Sequence, residues 1–162
     1  MKTLIIIRHA KSNQNFWGND FERPLNERGL TDAPKMAKKL LAKISKVDAF
    51  ISSPAVRAKT TAQFFAKEYG LLSDDIVLIS ALYHAGVETF YEVINAMPGE
   101  LNSIALFSHN PGITFFINDL ETSTHLDNMP TCGMFAVQVN TNNWENFATA
   151  KKEFLFFDYP KM

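Results

Sequence analysis

Four short apolar runs, each followed by a longer amphipathic stretch, set the tightest limit on how this chain folds. Leu4–Ile7, Val47–Ser52, Ile76–Ile79 and Ile104–Phe107 are rich in aliphatic residues and too short for helices, so they read as strands. The first is β-branched throughout its core and reads as buried on both faces. Between the runs, apolar residues recur at helical spacing. Ala33, Met36, Ala37, Leu40, Leu41 and Ile44 form one such stripe and predict a helix from Asp32 to about Ile44. Pro34 is tolerated only in a first turn, which places the start near Asp32, and Asn26 is expected to cap a short helical turn before it. Further helices are expected from Pro54 to about Tyr69 with Gly70 closing, over Val87–Met97, and from Pro111 to about Leu120. Gly133–Val139 and Phe154–Phe157 read as strands at the sheet edge. This alternation argues for an α/β fold. No repeat, low-complexity tract or linker interrupts it, and 162 residues suit one domain, 1–162.

Charge and cysteine usage exclude several functions. The net charge of −1 provides no overall field for nucleic acid or an anionic membrane, so neither is an expected partner. Leu4–Ile7 runs straight into Arg8 and is too short for a secretory signal, and no run approaches the roughly 18 apolar residues of a membrane span. A cytoplasmic monomer is the expectation. Cys132 is the only cysteine, so it forms no internal disulfide and cannot by itself make a structural zinc site. It is expected to be a small buried residue.

Three of the predicted strands end in reactive side chains. The first ends in Arg8-His9. The second ends in Ser52-Ser53-Pro54, with Arg57 one turn into the next helix. The fourth ends in Ser108-His109-Asn110-Pro111. Ligands of open parallel sheets bind beyond the carboxyl ends of the strands, so two arginines and two histidines are expected on one rim. Their chemistry suits a phosphoryl group. A guanidinium grips phosphate oxygens with two parallel hydrogen bonds and keeps its charge. Fixed donors aimed at the equatorial oxygens do most of the work in phosphoryl transfer. One imidazole is then free to attack, provided it is neutral, and nearby cations favour that form. Its other ring nitrogen is expected to donate to a backbone carbonyl. Arg57 also breaks a local rule, because a cation in the first turn of a helix costs about 0.3–1 kcal/mol against the helix dipole. A helix start with an added Arg is a good anion site.

Arg8-His9-Ala10-Lys11-Ser12 after an N-terminal strand resembles the signature of the histidine phosphatase superfamily, also called phosphoglycerate mutase-like. Ser52 to Ala62 is similar to its second-arginine segment, and Ser108 to Gly112 to its second-histidine segment. Asp20 to Gly29 resembles the SixA-like branch, the phosphohistidine phosphatases. The resemblance reaches from the start of the chain to about residue 120 and implies a three-layer α/β/α sandwich with a mostly parallel sheet. It implies His9 as the phosphorylated nucleophile, with Arg8, Arg57 and His109 binding the phosphoryl group. Asn15 and Arg23 match substrate-binding positions of some members. No metal and no cofactor are expected.

Departures from the family pattern bear on the substrate. Ala10 stands where Gly is usual. Ala81-Leu82-Tyr83-His84 lacks the acid that larger members place there, and Asn110 stands where acid phosphatases have Asp. Asp20, Glu22 and Glu88 remain as candidate acids from mobile loops. Proton donation to a leaving alcohol contributes about 10²–10⁴-fold, so a missing acid favours a phosphoramidate, whose nitrogen can be protonated beforehand. The expected substrate is therefore phosphohistidine in a protein. The alternatives are a general small-molecule phosphomonoesterase and a non-catalytic domain that binds phosphorylated ligands. A loop is expected over Lys11–Pro24, with Trp17 and Phe21 as its anchors or as a gate to the pocket.

Overall fold

The apolar runs Leu4–Ile7 and Ile104–Phe107 are buried because helices cover both faces of the sheet they build, whereas Val77 and Leu78 at the sheet edge are exposed. The structure, a computed structural model, describes residues 1–161. Among these residues the strands are β1 (Lys2–Arg8), β2 (Ala49–Ser52), β3 (Val77–Leu78), β4 (Ser103–Ser108), β5 (Met134–Val139) and β6 (Lys152–Asp158). The helices are α1 (Glu27–Lys43), α2 (Val56–Glu68), α3 (Val87–Asn95) and α4 (Gly112–Asp119). The strand order is β3-β2-β4-β1-β5-β6. The first four run parallel, and β5 and β6 close the sheet antiparallel.

Alternation along β1 assigns its side chains to two different cores. Leu4 and Ile6 pack with Phe90, Ile94, Ile113, Phe116 and Ile117 of α3 and α4. Ile5 and Ile7 pack with Met36, Leu40, Phe65 and Ala66 of α1 and α2. The result is the expected α/β/α sandwich. Each large apolar side chain fully removed from water contributes roughly 1.5–3 kcal/mol, and the two aromatic-rich cores supply many such terms.

Two expectations about the elements need correction. Helix α1 starts at Glu27, not near Asp32, because the Asn26 side chain accepts from the Gly29 N–H at 2.9 Å and nucleates the helix five residues early. Pro34 then sits inside the helix, where it cannot donate to the Leu30 carbonyl. Leu30 is on the exposed side of α1, where water can serve that carbonyl instead. The second correction concerns the sheet edge. β5 lies between β1 and β6, and only β6 of the pair is an edge strand.

Candidate active site

Sheet register brings the two histidines together. In the parallel pair β1–β4, Arg8 lies opposite Ser108, so the residues that follow, His9 and His109, leave the sheet side by side. The His9 N–H donates to the Ser108 carbonyl at 3.2 Å, and the two imidazole centroids are 5.2 Å apart. On the other flank of β4, Ser52 of β2 pairs with Phe107, and α2 begins four residues later with Arg57 in its first turn. The Thr61 side chain ties these pieces together. It accepts from the Ala10 N–H at 3.0 Å and donates to the Arg57 carbonyl at 2.7 Å. From the β5 side, the Cys132 N–H donates to the carbonyls of both Arg8 (3.1 Å) and His9 (3.0 Å). Cys132 adopts φ +57° to do so, and it is fully buried, as its type suggested.

His9, Arg57 and His109 are 6%, 5% and 8% exposed, and with Arg8 they line a cavity of about 460 Å³. His9 Nδ1 lies 2.7 Å from the Ala10 carbonyl. A carbonyl only accepts, so Nδ1 carries the hydrogen and Nε2 carries the lone pair. Burial is the main cause that lowers the His9 pKa to about 3; the Ala10 contact opposes it, and the charges of Arg57, Arg8 and Arg23 add to it. The ring is therefore neutral over the working range of pH.

His109 is arranged for the opposite task. Ser53 Oγ accepts from the Ala55 N–H at 3.2 Å, and among the described residues its buried hydrogen meets no acceptor other than His109 Nε2 at 2.8 Å, which assigns the lone pair to Nε2. The remaining imidazole hydrogen then sits on Nδ1, which is buried and has no partner in the protein. Burial, followed by the neighbouring His9 and Arg57, lowers its pKa to about 3. Arg8 Nε and Arg57 Nε are likewise buried and unpartnered. Burial and the Arg57 charge lower the Arg8 pKa from its ordinary value. Two guanidinium groups thus share one partly dry site, a repulsion that a bound dianion relieves. The N-caps Ala55 of α2 and Pro111 of α4 supply no side-chain bond, so they take none of the first-turn N–H groups away from a bound anion. Asn110, just before α4, does reach that helix's first turn, where its Oδ1 accepts from the Thr114 N–H at 3.3 Å.

The remaining sequence-derived residues divide clearly. Arg23 lines the pocket and donates to Ser12 Oγ. Asn15 does not line it; its N–H donates to Asn13 Oδ1 at 3.0 Å and its side chain is in the exposed part of the loop, while Gln14 reaches the pocket. Glu22 and Glu88 are exposed and line neither this pocket nor the cleft beside it. Asp20 is at the rim. Its Oδ2 accepts from Arg57 Nη2 (2.9 Å) and the Tyr83 hydroxyl (2.7 Å), its Oδ1 accepts from Arg23 Nη2 (2.9 Å), and its carbonyl accepts from Arg57 Nη1 (2.7 Å). The Tyr83 hydrogen bond, with help from Arg23 and Arg57, holds this carboxyl well below the usual carboxylate range despite a desolvation cost. Phe21 anchors the loop by packing edge-on against Tyr83 at 5.1 Å, whereas Trp17 is 97% exposed and serves no such purpose. Sequence reasoning missed Ser53, Thr61 and Tyr83 as supports. All three lie in segments already singled out, but Tyr83 stands in one noted only for the acid it lacks, and nothing local marks it as a partner of Asp20.

A larger cavity of about 530 Å³, beyond the far end of α4 at Tyr91, Asp119 and Lys152, holds none of these groups. Among the described residues no cluster of three His, Cys, Asp or Glu side chains could hold a metal ion, and no helix is long and apolar enough to cross a membrane.

Comparison with known proteins agrees with this fold. Residues 4–83 match the family model of the histidine phosphatase superfamily (branch 1). No curated protein matches the chain. A protein from Agrobacterium tumefaciens assigned as the phosphohistidine phosphatase SixA superposes with a TM-score of 0.81 at 26% identity, covering 98% of both chains. The protein histidine phosphatase SixA complexed with tungstate gives a TM-score of 0.81 at 20% identity over 98% of this chain and 97% of that one. A mycobacterial glucosyl-3-phosphoglycerate phosphatase in complex with VO3 gives 0.72 at 14% identity over 98% of this chain and 100% of that one. At such low identity the last two speak for the fold alone.

Proposed function

We propose that this chain, a histidine-nucleophile phosphatase of the histidine phosphatase superfamily and SixA-like in form, hydrolyses phosphohistidine on proteins through a phospho-His9 intermediate. The observation that carries this reading is the pairing of a neutral His9, its Nε2 lone pair free, with three buried donors that have no protein partner: Arg8 Nε, Arg57 Nε and His109 Nδ1. Donors of this kind, fixed before the reaction, stabilise charge as it develops on the transferring group.

In the first step His9 Nε2 forms a bond to phosphorus as the bond from phosphorus to the substrate imidazole nitrogen breaks. The departing ring keeps the bonding pair on that nitrogen and leaves neutral, because its other ring nitrogen is protonated beforehand. In the second step water attacks phospho-His9, releasing inorganic phosphate and restoring the imidazole. Arg8, Arg57 and His109 hold the three equatorial oxygens throughout, and Arg23 binds substrate from the mouth of the pocket.

The preference for nitrogen-linked substrates follows from the acids. Among the described residues no carboxylate lines the pocket. Asp20, at the rim, is held ionised and is an acceptor rather than a donor. An alcohol leaving group would lack the proton it needs, at a cost of about 10²–10⁴-fold. Rapid mixing with a phosphohistidine protein labelled on phosphorus should transfer label to His9. Parallel assays should show a nitrophenyl phosphate ester turned over more slowly. Faster turnover of the ester would identify a general small-molecule phosphomonoesterase, and no label on His9 would exclude the covalent route.

A further inference from the structure

A cleft of about 310 Å³ adjoins the phosphoryl pocket, and His109 and Asn110 line both. Its other walls are Tyr83, His84, Pro111 and Phe115. Phe115 stands out because it is 62% exposed, a large aromatic ring left in water beside an active site. Tyr83 is a rigid wall. Its hydroxyl is tied to Asp20, its ring packs edge-on with Phe21 at 5.1 Å, and it lies 5.6 Å from His109 and 4.0 Å from His84. The backbone closes the cleft behind these rings. A Cβ at Gly112 would come within 2.0 Å of the Ala85 carbonyl, so only glycine lets the start of α4 lie against that strand of chain.

The side-chain polar atoms of Asn110 and Tyr83 around the cleft, and Nε2 of His109, are already committed. Asn110 Nδ2 donates to Asn128 Oδ1 and the Met129 carbonyl, and Asn110 Oδ1 accepts from the Thr114 hydroxyl and N–H. The Tyr83 hydroxyl is held by Asp20 and His109 Nε2 by Ser53. Besides His109 Nδ1, which the phosphoryl group takes, the cleft offers a ligand ring faces, a proline and the uncommitted His84 imidazole. A polyhydroxylated ligand would give up water there without replacement hydrogen bonds, whereas a flat ring would find stacking partners.

We infer that this cleft is the subsite for the group that carries the phosphoryl, and that it selects a flat heteroaromatic carrier, the imidazole of a phosphohistidine side chain, over a sugar or glycerate. The inference rests on the phosphatase reading of the adjoining pocket and adds the basis of its substrate choice. Phe115 and His84 are then specificity residues, not participants in the chemistry.

The test uses three substrates: a phosphohistidine peptide, phosphoramidate (an N–P bond with no ring) and glucose 6-phosphate. Phe115→Ala is expected to lower kcat/KM for the peptide roughly 3- to 10-fold. It should leave the other two within about twofold, and Phe115→Tyr should restore the peptide rate. His84→Ala, on the same wall, should follow Phe115→Ala. The inference is overturned if the peptide rate is unchanged in both alanine variants or if phosphoramidate falls by the same factor. It also fails if the wild type prefers glucose 6-phosphate to the peptide. Wild-type protein that hydrolyses neither nitrogen-linked substrate would overturn the phosphohistidine reading itself, a result distinct from failure of the cleft alone.

Discussion

The floor of the pocket and its loop wall are held by different forces. On the floor, His9, His109 and Arg57 follow directly from strands and a helix start, are almost fully buried, and are placed by main-chain register and by Cys132 and Thr61. On the wall, Asp20 has a side chain 53% exposed and is attached through ion pairs and a tyrosine hydroxyl. Buried, register-fixed groups keep their positions when ligands come and go, whereas exposed ion pairs are weak and easily exchanged. The floor is built to do chemistry and the wall to be displaced by the incoming anion, since Asp20 occupies donors of Arg57 that a phosphoryl oxygen would use.

This contrast can be broken at either end. His9→Ala should have the largest effect, a loss in kcat of about 10⁴-fold or more with inorganic phosphate still bound, because the donors remain. Single-turnover kinetics with calorimetric phosphate binding checks both halves. Residual phosphoryl-enzyme in that variant would move the nucleophile elsewhere. Arg57→Ala removes a floor donor and also frees Asp20. A fall in kcat/KM of about 10²–10³-fold is expected, with weaker phosphate binding.

The floor also predicts how stability depends on pH. His9 and His109 titrate near 6.5 in the unfolded chain, but burial lowers them to about 3 in the fold. Below about pH 6.5 the unfolded state takes up protons that the folded state refuses. Stability should therefore be full above that pH and decline toward pH 3, by up to about 1.4 kcal/mol per pH unit for each ring. Urea midpoints measured from pH 7 to pH 4 should fall more gently in His9→Gln than in the wild type. The wall should give the smallest response. Asp20→Asn is expected to leave kcat on phosphohistidine unchanged while tightening inhibition by inorganic phosphate about two- to fivefold. A large drop in kcat would show that Asp20 takes part in the chemistry and would erase the distinction between floor and wall.

Much of the floor was legible in the sequence, and little of the wall. Arg8, His9 and His109 stand at the ends of strongly apolar strands and Arg57 in the first turn of the helix that follows another, and strand ends in a parallel sheet share a rim. Asn15 illustrates the limit. It sits in the right segment, yet the turn at Asn13 directs Gln14 to the pocket and Asn15 away from it. A loop's path depends on contacts with distant elements, such as Asp20 with Arg57 and Phe21 with Tyr83, and no periodicity encodes them. The early start of α1 is an intermediate case. Asn26 was a visible cap signal, but Pro34 argued for a later start, and the exposure of Leu30 that makes Pro34 tolerable belongs to the fold.

By itself the sequence determined the layered α/β class, the two faces of each central strand and the identity of the four groups on the floor, because burial periodicity and residue chemistry are local properties. Tertiary structure alone decided which ring nitrogen of each histidine is free, that Asp20 is ionised against Arg57, and that an aromatic cleft lies next to His109. Each of these depends on distances of a few ångströms between residues far apart in the chain, and hydrogen bonds and charge interactions are set at that range.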